Sequence, residues 1–188
     1  SFFDFGWGVG SWGEGTWNTP RTSGTGIFLN SRVWQLDTFG EDLICQLVNG
    51  AIYRWDLSGG LASRATAISG APTKSTYALV STPDRHLVCF GTETTIGTPS
   101  TQDPMFVRFS NQEDINTFTE TATNTAGGQR LTDGSRIVTA VRSRGQILIF
   151  TDTSLHGMQY VGPPYTFGFQ QLGTNCGCIG PHAAADVN

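Results

Sequence analysis

Three histidines and two pairs of adjacent acids are the side chains of this sequence best suited to acid–base chemistry. Histidine titrates near neutral pH, so each histidine is a candidate proton carrier. His86 precedes an apolar run, His156 lies within one, and His182 stands near the end of the chain. We interpret His86 and His156 as surface or half-buried strand residues without a catalytic role.

The acid pairs are Glu41-Asp42 and Glu113-Asp114, and both lie in turn-like stretches. Aspartate in a turn commonly accepts hydrogen bonds from nearby backbone, which is the simpler interpretation. Two carboxylates that meet in space would instead fit glycoside hydrolysis, and separation along the chain does not rule this out. A propeller glycosidase with two converging carboxylates therefore stays open as an alternative.

Cys176 and Cys178, with His182 four residues further on, come nearest to a metal-binding motif. A structural zinc site usually has four ligands and a longer Cys spacing, so we predict a Gly-rich turn with two small buried thiols. Cys45 and Cys89 lie inside the apolar runs LICQLV and HLVCFG, and we expect both to be reduced. Because no phosphate loop, nucleophile elbow or dinucleotide fingerprint occurs, we predict no catalytic residue, no cofactor and no metal.

The composition is typical of a turn-rich β protein. The chain has 188 residues with 24 Gly and only 14% charged residues, and no window carries apolar residues at the helical period. The formal net charge of −4 argues against an electrostatic nucleic-acid binder, which usually carries a basic stripe. No apolar stretch approaches the roughly 18 residues of a membrane helix, and the first residues do not have the layout of a signal peptide.

Arginine supplies ten of the eleven basic residues, and Lys74 is the only lysine. Arginine forms planar, bidentate contacts and is enriched at protein interfaces, so we expect it to serve in packing. Arg142 and Arg144 flank Ser143 in a predicted turn, and simple solvation is the alternative for these two.

A repeated pattern of short apolar strands organises most of the chain. Leu43, Leu87 and Ile147 occupy equivalent positions, 44 and 60 residues apart, in the runs LICQLV, LVCF and QILIF. In each unit we predict four strands. The initial strands are Val33 to Leu36, Tyr77 to Val80 and Ile137 to Val141; the third strands are AIYRWD, MFVRFS and LHGMQY; the fourth are RATAIS, NTFTET and YTFGFQQL.

Four antiparallel strands in each unit, at spacings beyond 40 residues, indicate propeller blades. Asn49-Gly50 predicts a hairpin because both positions tolerate positive φ. We predict that residues 92–103 are a surface loop and that residues 121–135 are a long polar connection. The fold class is thus predicted as all-β and β-propeller-like, with residues 1–26 as a Gly- and aromatic-rich arm and residues 27–188 as about three blades.

Four stretches of the sequence are distinctive: FSNQEDINTFT, the AGGQRL and DGS connection, ILIFTDTSLHGMQYVGPPYTFGFQQLGTNCG, and the opening GWGVGSWGEGTWNTPR. They resemble stretches of the tail nozzle, or tail tubular protein B, and tail stabilisation proteins of short-tailed bacteriophages. Together they cover about half of the chain. Members of that family are several times longer, and we expect this chain to be a piece of a longer polypeptide.

The resemblance implies a structural virion protein that is not an enzyme. It implies a ring of identical subunits, typically six, which contacts the portal or adaptor and the tail fibres or spikes. Genomic DNA would pass through its channel without specific binding, and the acidic charge agrees with this because it repels phosphate. The expected location is the tail of the virion, after synthesis in the host cytoplasm. A host-receptor or carbohydrate-binding propeller on the same particle is the alternative.

Overall fold

The structure is a computed structural model that describes residues 33–82 and 84–186, and in them it is all-β, as predicted. Twelve strands form three antiparallel sheets of four strands each, with the strands of each sheet in chain order. Sheet 1 contains β1 (Trp34–Phe39), β2 (Asp42–Leu47), β3 (Ile52–Trp55) and β4 (Thr66–Ala67). Sheet 2 contains β5 (Tyr77–Val80), β6 (Leu87–Phe90), β7 (Phe106–Phe109) and β8 (Gly127–Arg130). Sheet 3 contains β9 (Ile137–Ser143), β10 (Gln146–Thr151), β11 (Ser154–Gly162) and β12 (Thr166–Thr174).

The arrangement is propeller-like, since each sheet is a four-stranded meander as in a propeller blade. The three sheets do not close into a ring within the described residues. The arm predicted at residues 1–26 and the first residues of the predicted blade region, 27–32, lie outside the described part of the chain. Among the residues that are described, no helix has the length and apolar character needed to cross a membrane.

Sheet 2 is buried on both faces, and this follows from the period-two alternation of its strands. Ala78, Val80, Leu87 and Cys89 pack against Ile44 and Ile52 of sheet 1. The alternate residues of sheet 2 pack against sheet 3, and they are Leu79, Val88, Phe90, Val107 and Phe109. Each fully buried Leu, Ile or Phe contributes about 1.5–3 kcal/mol, so the two apolar layers hold the sheets together.

The hairpin turns are tight and use the residues that the sequence offers for them. Asn49 has a φ of 58°, and the N–H of Gly50 donates to the carbonyl of Leu47 at 2.8 Å, which confirms the hairpin. Only Asn49 takes the left-handed conformation there. Between β9 and β10, Gly145 has a φ of 75° and lets Ser143 and Gln146 pair directly.

The fourth strand of the middle unit was predicted wrongly. The segment NTFTET is not a strand, because Asn111 and Asn124 fold the chain around it into a loop. Asn111 donates its N–H to the carbonyl of Thr117 at 2.8 Å, and the Asn124 amide donates to the carbonyl of Thr119 at 2.8 Å. Phe118 of this loop is buried in the apolar layer between sheets 1 and 2. The apolar residue that suggested a strand is therefore a loop residue that packs into the core. The fourth strand is Gly127–Arg130, inside the predicted connection.

The loop at residues 92–103 is less exposed than predicted, because it contains a buried acid. Thr92 and Glu93 are completely buried. The Glu93 carboxylate accepts hydrogen bonds from the Thr73 hydroxyl and from the N–H of Gly97 at 2.7 Å. A 3-10 turn, Pro99–Thr101, then returns the chain towards β7. The buried carboxylate therefore ties the loop to itself and to the connection between β4 and β5.

Glycine in β8 is required by the rings beneath it. A Cβ on Gly127 would lie 2.7 Å from Cζ of Phe109, whose ring packs edge-on against Phe167 with centroids 4.8 Å apart. A Cβ on Gly128 would lie 2.8 Å from Cε1 of Phe106. Sequence patterns that favour large β-formers therefore miss this strand.

We predict that Gly127→Ala lowers the free energy of unfolding by about 1–3 kcal/mol, because the Phe109 ring is held by its neighbours and must shift. Gly180→Ala is the matched control, since nothing lies within 4 Å of the added methyl group. Urea unfolding of both variants measures the difference. Equal stabilities for the two variants would contradict the packing described for β8.

Candidate functional site

The first strands of the three sheets meet at a groove. β1, β5 and β9 are each the end strand of their sheet, and β5 lies beside both β1 and β9. The groove between them has a volume of about 330 Å³. Its polar side chains come from Gln35, Asp37, Tyr77, Arg142 and Asp186.

An ion pair and two backbone hydrogen bonds link these strands, and a third hydrogen bond within β1 orients the Asp37 carboxylate. Oδ2 of Asp37 accepts from the N–H of Val80 at 2.7 Å, and Oδ1 accepts from Thr38 N–H at 2.9 Å and from Nη2 of Arg142 at 2.8 Å. Nη1 of Arg142 donates to the carbonyl of Val80 at 3.1 Å. Asp37, Val80 and Arg142 belong to sheets 1, 2 and 3, so we call this set the three-sheet bridge. It satisfies backbone groups on an end strand that has no strand partner on that side.

Tyr77 stands in the same groove, and burial raises its pKa above the ordinary value for tyrosine. The negative charge of Asp37 acts in the same direction, whereas a hydrogen bond with Thr139 and the charge of Arg142 oppose it. Tyr77 is therefore a neutral phenol at physiological pH. It can accept or donate a hydrogen bond there, and it does not act as a base.

No sequence motif predicts the groove, and one of its residues was interpreted differently. Arg142 lies in β9 and bonds to both other sheets, so its expected place in a turn was wrong, whereas Arg144 lies in the turn and is exposed. Asp37 and Arg142 are separated by 105 positions. Only the folded structure brings them together. The general expectation that arginine serves in packing nevertheless fits Arg142.

His86 and His156 are buried, so the expectation of surface or half-buried positions was wrong. His86 is completely buried, and its Nδ1 lies 2.7 Å from the carbonyl of Ser110, which requires Nδ1–H to donate. Its Nε2 has no hydrogen-bond partner among the described residues. Burial lowers the pKa of His86, while the Ser110 carbonyl and the charge of Asp84 act in the opposite direction. The ring is thus neutral and serves as an aromatic spacer.

The ring of His86 lies among aromatic side chains that join sheets 2 and 3. Its centroid is 5.1 Å from that of Phe167, 6.0 Å from Tyr160 and 6.3 Å from Phe109. In contrast to His86, the Nε2 atom of His156 has hydrogen-bond partners. It lies 3.0 Å from the Ser154 hydroxyl and 3.2 Å from the Asp133 carbonyl. Within the described ranges, no carboxylate is hydrogen-bonded to either histidine ring to orient it for proton transfer.

The acid pairs serve local structure. Asp42 pairs with Arg54 at 2.6 Å, and Glu113 pairs with Arg85 at 3.2 Å. Asp114 accepts a hydrogen bond from the N–H of Asn116 at 2.9 Å, as expected for an acid in a turn. The structure therefore brings Asp42, Glu113 and Asp114 to basic or backbone partners.

The prediction that the thiols of Cys176 and Cys178 are buried was wrong. Their N–H groups donate to the carbonyls of Thr153 and Thr151, at 3.1 and 2.9 Å, so the backbone lies along the end of β10 and leaves Cys176 exposed and Cys178 half-buried. In residues 33–82 and 84–186, no group of three His, Cys, Asp or Glu side chains is arranged to hold a metal ion. All four cysteines are free thiols, and burial raises the pKa of Cys45 and of Cys89.

Both ends of the three-sheet stack present apolar side chains to solvent. On the outer face of sheet 1, Trp34 is 52% and Leu36 is 65% exposed. The register places further apolar residues on this sheet 1 end face: Leu43, Cys45, Leu47, Tyr53 and Trp55. The sheet 3 end face, opposite the core, carries Val141, Leu148, Phe150, Leu155, Val161 and Leu172. Segment 175–186 covers part of it, through a hydrogen bond from Thr139 to the carbonyl of Pro181.

No protein-family model matches the chain, and no curated protein sequence matches it.

The three-sheet bridge makes a stability prediction. In Asp37→Asn, the new amide must turn its NH2 towards either the Val80 N–H or the Arg142 guanidinium, and both of these are donors. We expect a loss of about 1–3 kcal/mol in the free energy of unfolding. Glu113→Gln removes an exposed ion pair of the same kind and should cost less than about 1 kcal/mol. Chemical unfolding of the two variants measures both values. Similar losses would show that the three-sheet bridge contributes no more to the free energy of unfolding than an exposed ion pair does.

The buried histidine predicts how stability depends on pH. Because the folded-state pKa of His86 lies below its unfolded value of about 6.5, the unfolded chain takes up the proton first on acidification. Stability is therefore unaffected by this group above about pH 6.5 and falls as the pH drops towards the folded-state pKa. Hydrogen bonds from Ser135 lower the pKa of Asp152 to about 2. This carboxylate therefore changes the stability only in more acidic solution, below the range of the experiment. Unfolding curves from about pH 5 to 8 should lose this slope in His86→Gln and keep it in His182→Gln, which changes an exposed histidine.

Proposed function

We propose that this chain is a structural part of a bacteriophage tail nozzle, in which propeller-like modules are held in a ring of identical subunits around the path of the genome. The resemblance of its sequence to tail nozzle and tail tubular proteins supports this, and so does the stacked-sheet fold. In this proposal the chain has no catalytic activity of its own. It belongs to the virion tail and is made in the host cytoplasm.

The observation that carries the proposal is the pair of apolar end faces. Inside the molecule, apolar faces of neighbouring sheets pack on each other to form the two core layers. The sheet 1 end face presents the same kind of surface to solvent, with Trp34 and Leu36 more than half exposed. Large exposed apolar patches mark surfaces that are covered in the working protein.

Two different end faces favour head-to-tail assembly. A contact between the sheet 1 end face of one copy and the sheet 3 end face of the next is heterologous, and repetition of such a contact produces a ring when the rotation closes. Each copy then continues the face-to-face stacking of its neighbour. A ring, typically of six copies in the family that the sequence resembles, is the expected product.

The charge distribution supports a channel that does not retain DNA. Of the eight arginines in the described part of the chain, five form ion pairs with acids of the same chain: Arg54, Arg85, Arg108, Arg130 and Arg142. Arginine bound to carboxylate is less available to phosphate, and the formal net charge is −4. Because affinity for nucleic acid depends chiefly on unpaired basic groups, DNA would pass such a wall without adhering. Contacts with the portal or adaptor and with fibres or spikes complete the proposal.

A charge placed on the sheet 1 end face tests the assembly. We predict that the protein forms rings in solution, visible by light scattering after gel filtration and by electron microscopy. Leu36→Asp should reduce the assembled fraction by at least about tenfold, because it buries a charge in the contact. Leu61→Asp is the matched control, since Leu61 is 92% exposed in the loop before β4 and lies on neither end face. Circular dichroism checks that both variants fold.

A protein that stays monomeric at every concentration would contradict the ring. Antibodies raised against the chain test the location separately, and they should label the tail in electron micrographs of virions. Labelling of the capsid alone would contradict the nozzle assignment.

A further inference from the structure

We propose that segment 175–186 is a detachable strap, which lies on the sheet 3 end face of the free chain and has to leave before a second copy docks there. This rests on the head-to-tail assembly proposed above and adds a step that controls it. The inference depends on what the strap covers, on how weakly it is held and on the space between packed sheets.

The strap covers part of the first strand of sheet 3. Thr139 of β9 is the cross-strand partner of Phe150, and the next pair in the register, Ala140 and Ile149, points into the core. Thr139 therefore lies on the face turned away from the core, yet it is only 1% exposed. Its hydroxyl donates to the carbonyl of Pro181 at 2.7 Å, so the strap lies directly over it.

Few contacts hold the strap in place. The N–H groups of Cys176 and Cys178 donate to carbonyls of the turn after β10, and the Thr139 hydroxyl supplies a third hydrogen bond. No residue from 175 to 186 is buried, and Ile179 is 93% exposed. A segment with so few buried contacts opens at a much smaller free-energy cost than the strands of a core. The strap can therefore leave while the three sheets stay folded.

The space between two packed sheets does not admit the strap. Sheets that pack face to face lie about 10 Å apart, and the side chains of the two faces fill that space. A polypeptide lying across one face takes up part of the same space, so sheet 1 of a second copy cannot reach packing distance over Thr139. Docking and the closed strap are thus competing states. The apparent affinity of one copy for the next is reduced by the fraction of chains whose strap is closed.

Gly177 offers a way to open the strap without changing the sheets. A Cβ on this residue would lie 1.9 Å from the carbonyl oxygen of Asp152, in the turn between β10 and β11. Gly177→Ala therefore forces the strap away from that turn. Gly180→Ala is the matched control within the same segment, because nothing lies within 4 Å of the added methyl group.

Opening of the strap is measured by amide hydrogen exchange in chains that also carry Leu36→Asp, which removes the assembly contact. We expect the amides of Cys176 and Cys178 to exchange at least about tenfold faster with Gly177→Ala than with Gly180→Ala. The amides of β10 should exchange equally in both chains. Equal exchange at Cys176 and Cys178 in the two variants would overturn the detachable strap, whatever the chains do in assembly.

Docking is measured by light scattering after gel filtration, with leucine retained at position 36. Gly177→Ala should assemble at a concentration about three- to tenfold lower than the original chain, because more of its molecules have a free sheet 3 end face. Gly180→Ala should assemble like the original chain. Amides of the strap should lose their protection in assemblies of the original chain.

The outcomes separate the strap from the assembly itself. If the original chain and both variants assemble at the same concentration, or if Cys176 and Cys178 stay protected in the assemblies, the strap proposal is wrong and the head-to-tail contact stands. If none of the three chains assembles, the head-to-tail contact fails, and the role of the strap fails with it.

Discussion

Face-to-face packing on both sides of sheet 2 is the constraint on which the rest of the structure depends. Residues of β5 and β6 alternate between the two apolar layers, so a shift of one residue in either strand would exchange the layers. Turns, loops and the buried Glu93 carboxylate all hold strands in the register that this alternation requires. Without it, sheets 1 and 3 would have no common surface against which to pack.

The same mode of packing explains why the ends of the stack matter. A four-stranded sheet with one apolar face is satisfied by a single neighbour, but sheets 1 and 3 are apolar on the outer face as well. A stack built in this way has no internal reason to stop at three sheets. The exposed Trp34 and Leu36 are therefore better understood as part of an unfinished layer than as isolated surface residues.

Sequence reasoning succeeded where the information is local. Alternating apolar runs located the first three strands of each unit, and Asn49-Gly50 located a hairpin, because periodicity and turn chemistry depend on near neighbours. It failed at β8, where two glycines are needed beneath aromatic rings from another strand. It failed also at Glu93, which lies in a polar loop. The side chain is nevertheless buried, and its carboxylate accepts hydrogen bonds from Thr73 and Gly97.

The groove could not be found in the same way. Asp37 and Arg142 belong to different sheets, and no spacing rule connects residues 105 positions apart. Gln35 carries no pattern of its own, since an isolated glutamine within a strand is ordinarily a surface residue. Its burial depends on the folded arrangement, in which it faces Gln46 on the neighbouring strand.

The alternation along β1 separates the two surfaces of this strand within six residues. Trp34 and Leu36 point to the sheet 1 end face, while Gln35 and Asp37 lie on the inner side, where the three first strands meet. Because successive side chains of a strand point to opposite faces, a substitution at an even or an odd position reaches one surface and largely spares the other. The sheet 1 end face and the groove can therefore be changed separately, even though one short strand contributes to both. The three-sheet bridge connects them physically, since Asp37 fixes the position of β1 against β5 and β9 and so sets the geometry of the groove.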